Sequence, residues 1–90
     1  MHNRLSQRQV LKDWTRVEGF EVASGEYRTF EYHVVSLGEA QRTILTLKLY
    51  RDDDMTIRLD PSDIEPAANQ DAYGSLAERR VRQLFIQGTI

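Results

Sequence analysis

The chain predicts an α+β fold: a three- or four-stranded antiparallel meander with an N-terminal and a C-terminal helix packed on one face, in the order α-β-β-β-α. Three observations carry this expectation. Apolar residues alternate in three successive runs, first Phe30, Tyr32 and Val34, then Leu45, Leu47 and Leu49, then Met55, Ile57 and Leu59. A period of two lets each strand bury one face and wet the other. Before these runs, Val10, Leu11, Trp14 and Val17 recur at helical spacing. After them, Ser75-Leu76-Ala77-Glu78 has the form of a capping box ahead of an apolar stripe.

Ser6 is a good N-cap for a first helix over residues 7–18, with Leu5 and Val10 at the two positions of a hydrophobic staple. Gly19 stands where a left-handed C-terminal residue belongs. Trp14, in the middle of the stripe, reads as a core anchor. Phe20 to Ala23 forms a short additional strand in this reading, and Ser24-Gly25 turns it into the meander.

The register of the meander is set by its turns. A turn at Gly38-Glu39-Ala40-Gln41 pairs Leu37 with Arg42, which sets Val34 opposite Leu45, Tyr32 opposite Leu47 and Phe30 opposite Leu49. The same register places Glu31 across from Lys48, an opposite-charge pair. A second turn at Arg51-Asp52-Asp53 sets Leu49 opposite Met55, Leu47 opposite Ile57 and Leu45 opposite Leu59. Both hairpins then put their apolar residues on one face.

Asp60-Pro61 ends the third strand in this reading, as an N-cap with proline at the first helical position. Pro66 restricts that helical segment to one short turn. Ala67 to Tyr73 is a linker. The last helix starts at Ser75, carries Leu76, Ala77, Val81, Leu84 and Phe85 as its stripe, and stops at Gly88. Residues 1–90 make a single domain.

Composition narrows the function classes. There are no cysteines, which excludes disulfides, thiolate catalysis and zinc–cysteine sites. No apolar run reaches the roughly 18–20 residues of a membrane span. The N-terminus lacks the apolar core of a signal peptide, so a cytoplasmic location is expected. Asp52-Asp53-Asp54 lacks the alternating acids, glycine and distal glutamate of a calcium loop and reads as a polar hairpin tip. His33 stands mid-strand with no nucleophile or acid at relay spacing. All five glycines serve turns or caps, which leaves none to cradle phosphate. No enzyme activity, metal or cofactor is expected.

The surface pattern carries the remaining reading. The face opposite the helices holds Thr29, Glu31, His33, Val35, Ile44, Thr46, Lys48, Tyr50, Thr56 and Arg58, a mixture of the kind found in protein–protein patches. Seven acids stand between residues 52 and 71, with Arg58 alone against them. The expectation is a small non-enzymatic interaction module, an adaptor, regulator or inhibitor that includes the small acidic inhibitors phages encode. It docks to another protein, or to a second copy, through Val35, Ile44, Tyr50, Asp52, Asp53, Asp54 and Arg58. The alternative is RNA binding. The α-β-β-β-α order is similar to that of the double-stranded RNA-binding domain, whose last helix grips phosphates. That resemblance implies Arg79, Arg80 and Arg82 as the contacts, although Ser75-Leu76-Ala77-Glu78 replaces the family's lysines and the net charge of −2 opposes phosphate.

Overall fold

In the computed structural model, which describes residues 8–38, 40–51 and 55–90, four strands precede one helix. The strands are β1 (Arg8–Ala23), β2 (Glu26–Leu37), β3 (Arg42–Tyr50) and β4 (Ile57–Ile64), and the helix is α1 (Asp71–Ile86). The strands form one antiparallel sheet in the order β1-β2-β3-β4. No N-terminal helix stands among the described residues. The Ser6 cap and Leu5 staple expected for one lie outside them, as do Glu39 and Asp52 to Asp54.

The segment read as a helix is the first part of β1, a strand of 16 residues. It pairs with the 12-residue β2 and absorbs the excess by shifting register at four points: between Val10 and Lys12, Lys12 and Thr15, Val17 and Phe20, and Glu21 and Ala23. Each shift adds one residue to β1 and turns a spacing of two into three. Leu11, Val17 and Phe20, on the core side, then fall at multiples of three, and with Trp14 between them on the other side they mimic a helical stripe. At one shift the Asp13 carboxylate accepts the Trp14 backbone N–H at 2.8 Å, a local bond that competes with the ladder. Gly19 takes its left-handed φ of 65° beside another shift, inside the strand and not at a helix end. The expected strand at residues 20–23 is the end of β1, and the turn to β2 falls at Ser24-Gly25 with Gly25 at φ 77°.

The β2–β3 hairpin has the register expected from its turn. Phe30 faces Leu49, Tyr32 faces Leu47, Val34 faces Leu45 and Glu31 faces Lys48. All six apolar residues are buried under the helix. The β3–β4 register differs from expectation by three residues. Leu49 faces Arg58, Leu47 faces Asp60 and Leu45 faces Ser62. An odd slip exchanges the two faces of a strand. Ile57 and Leu59, expected in the core, are 52% and 59% exposed on the opposite side. The slip turns Asp60 inward, where it accepts Arg80 Nε at 3.0 Å from α1. Asp60-Pro61 therefore lies within a strand and opens no helix. Proline is tolerated there because β4 is the edge, where one row of backbone groups has no ladder partner.

The helix begins at Asp71, inside the expected linker, so Ser75 lies within its first turns and caps nothing. The early start is supported by Tyr73, which is buried in the core and whose hydroxyl accepts the Ala67 N–H at 3.1 Å. Gly74 permits close approach to the sheet, since a Cβ there would stand 3.2 Å from the Tyr32 hydroxyl. Ala77, Val81 and Leu84 continue the buried stripe, and Leu76 and Phe85 flank it. The C-terminus closes as a Schellman motif: Thr89 N–H bonds the Leu84 carbonyl, Gly88 N–H bonds the Phe85 carbonyl, and Gly88 has φ 78°. No helix is long and apolar enough to cross a membrane among the described residues.

Candidate interaction face

One helix covers one side of the sheet, and no described element covers the other. Alternation along β2 and β3 sends Glu31, His33, Val35, Ile44, Thr46, Lys48 and Tyr50 to this bare side. β1 adds Val10 and Arg16, and β4 adds Ile57, Leu59, Pro61 and Asp63, by their cross-strand partners, and Trp14 of β1 joins them through its stack on His33.

The side chains lie in rows across the strands. Val10, Val35 and Ile44 make an apolar row, with Val35 buried by its neighbours. In the next row Trp14 stacks on His33, with centroids 4.7 Å apart and planes 12° from parallel. The Lys48 ammonium sits 4.3 Å from the indole centroid. The indole thus reaches over β2 to β3 and remains 39% exposed, so Trp14 is a surface platform and not the core anchor its position suggested. Then come Arg16, Glu31, Lys48 and Leu59. Arg16 donates to Glu31 at 2.9 Å and to Glu18 at 2.8 Å, and the Tyr50 hydroxyl donates to Glu31 at 3.1 Å. Arg16 also lies over the Tyr50 ring at 5.1 Å. Tyr50 and Ile57 close the pattern.

These contacts set the electrostatics of the face. The Arg16 hydrogen bond holds the Glu31 carboxyl below its ordinary value against the opposing effect of burial, with the Tyr50 hydroxyl adding to the depression. The same carboxylates, Glu18 first and then Glu31, raise Arg16 further. Burial lowers His33, and Arg8 and Lys48 lower it more, against an upward pull from Asp13. Glu31 is an ion-pair anchor. His33 is a stacked imidazole with no hydrogen bond to an acid among the described residues.

Of the residues the sequence nominated, Val35, Ile44 and Tyr50 do share this face. Arg58 does not: paired with Leu49, it lies on the helix side, with its guanidinium 3.7 Å from Asp60. Asp52, Asp53 and Asp54 lie outside the described residues. Two of the arginines proposed for RNA are engaged by other side chains. Arg80 is engaged by Asp60 and Gln83, and Arg82 covers the Phe20 ring at 4.6 Å. The β-β-β-β-α order also removes the likeness to the double-stranded RNA-binding domain. Sequence reasoning missed Val10, Trp14, Ile57 and Leu59. Pro61 was the available signal, because it marks an edge strand that runs past residue 60.

The described residues bring no three histidine or acidic side chains together as a metal site. Comparison with family models, curated proteins and solved structures finds no match.

Proposed function

We propose that this chain is a protein-interaction module that docks through the helix-free face of its sheet. The observation that carries the reading is the exposure of Val10, Trp14, Ile57 and Leu59 together on that face. Tryptophan, tyrosine and arginine dominate the energetics of protein interfaces, and Trp14, Tyr50 and Arg16 all lie on this face. Their contacts hold them in place before any partner arrives, which lowers the ordering cost of association. Both sheet edges are blunted, β1 by its register shifts and β4 by Pro61. Docking is therefore face-on, without strand addition.

The test uses the double variant Ile57→Glu, Leu59→Lys, since both positions are exposed and the fold should survive. Tagged wild-type chain retains a partner from its host's lysate, or shows a doubled mass by light scattering. The double variant loses that partner or that mass while keeping its melting temperature. Retention of the same partner by the variant overturns the reading.

A further inference from the structure

Charge and apolar surface are unevenly spread over the helix-free face. Alongside the β2–β3 ladder, its exposed apolar side chains stand on the two outer strands, Val10 and Trp14 on β1 and Ile57 and Leu59 on β4. The two central strands carry opposite charges side by side, Glu31 on β2 and Lys48 on β3. Lys48 stands 4.0 Å from Glu31, beyond hydrogen-bond reach. Its ammonium therefore keeps donors for a second carboxylate.

A two-fold axis parallel to the strands, between β2 and β3, maps this pattern onto its own complement. Sheets packed face to face keep their strands nearly aligned, about 10 Å apart. The axis sets β2 over the partner's β3 and β1 over the partner's β4. Glu31 then faces the partner's Lys48, and Lys48 faces the partner's Glu31. Together with their neighbours in the sheet, these four charges alternate in sign. Each charge withdrawn from water thus meets two of opposite sign, which offsets its desolvation. Val10 and Trp14 come to lie over the strand that exposes Ile57 and Leu59. A two-fold across the strands would instead set each strand over its own copy and, at that row, oppose like charges.

The area fits as well. Strands about 4.8 Å apart and rows about 3.4 Å apart give the paired face roughly 500–650 Å² in plan. Accessible area exceeds plan area, so a second copy covers close to the roughly 800 Å² per partner of a stable interface.

We propose that the occupant of the helix-free face is a second copy of this chain, joined face to face about the axis parallel to the strands. The proposal rests on the docking reading above and names its partner. The interface is isologous, and both helices lie on the outside of a helix–sheet–sheet–helix stack.

Light scattering on the full chain reads a doubled mass, with a dissociation constant of roughly 10 μM or below. Glu31→Lys and Lys48→Glu each oppose like charges across the axis and weaken self-association at least about tenfold. Mixed in equal amounts, the two variants regain the doubled mass, because each supplies the sign the other lacks. Ala40→Cys adds the only cysteine of the chain, in the exposed β2–β3 turn, and carries a spin label. The two labels stand at the same end of the dimer, within about 35 Å of each other. That distance decides the matter if either charge variant fails to fold. The inference is overturned by a wild-type chain that stays monomeric at about 200 μM. It is equally overturned by a doubled mass unchanged in both charge variants, by folded variants whose mixture stays monomeric, or by labels farther apart than about 35 Å. The docking reading fails by a different result, retention of a lysate partner by the Ile57→Glu, Leu59→Lys chain, and survives a monomeric wild type.

Discussion

Asp60 is 8% exposed beneath the helix, where Arg80 donates to it at 3.0 Å and Arg58 stands at 3.7 Å. Truncating a partly buried acid leaves its cations without a partner, and the penalty comes from that orphaned charge as much as from the lost bond. Asp60→Ala should lower stability by about 1–3 kcal/mol, read as a lower urea midpoint at an unchanged m-value. At His33 the expected effect is one of pH. The imidazole is harder to protonate in the folded chain than its ordinary value of 6.5 implies, so the folded chain binds fewer protons than the unfolded one. Stability is then full above pH 6.5, falls as the pH drops from there toward the depressed value, and levels once both forms are charged. A thermal-melt series across that range should show the step, and His33→Gln should remove it. Glu31 adds a second loss at lower pH, below its ordinary 4.5, as its ion pair with Arg16 is protonated away. None of these roles was readable from single residues. An aspartate before a proline looks the same whether it caps a helix or faces a distant arginine, and Arg80 is 20 positions further along the chain.

At the level of elements, legibility tracked how local the deciding interaction is. The β2–β3 hairpin was readable because its turn, its alternation and its Glu31–Lys48 pair all select the same register. The β3–β4 register was not, because alternation in residues 55–59 suggested a core face, whereas the structure puts Asp60, Ser62 and Arg58 on that side. Two substitutions separate these registers experimentally. Leu47→Ala, in the core, should cost about 2–5 kcal/mol. Leu59→Ala, in water, should cost about 0.5 kcal/mol or less. Equal losses in chemical denaturation would restore the register expected from sequence alternation. β1 was misread because interrupted alternation and helical periodicity place apolar residues at the same spacing. The end of α1 was legible, since the Gly88 stop signal acts within one turn.

For the molecule as a whole, the governing fact is one-sided coverage: a four-stranded sheet with a single helix. With an N-terminal helix absent from the described residues, the core relies on Phe20, Val22 and Val17 from β1 to complete its edge. The candidate face was therefore only half visible in the sequence. Val35, Ile44 and Tyr50 belong to the legible hairpin, whereas Trp14, Ile57 and Leu59 reach the surface through a bulged strand and a slipped one. Pro61 has a role at this scale, because it interrupts the row of backbone donors that β4 would offer to another chain. Pro61→Thr should leave the monomer folded and raise its tendency to associate, seen as a concentration-dependent increase in mass by light scattering.

The extra residues in β1 also determine where this protein tolerates changes in its own length. Removing Leu11 deletes a residue that already lacks an opposite number on β2, so Val10 and Lys12 keep Val35 and Val34 as partners and every side chain beyond stays on its own side. Removing Arg16, from the regular run of Thr15 to Val17, would instead turn its neighbours over as far as the next irregularity. Register alone therefore favours deletions at the offsets over deletions in the regular run, and the mildest should be Glu18, an exposed residue at an offset, whereas deletion of Val22, a core side chain at the last offset, should disable the fold.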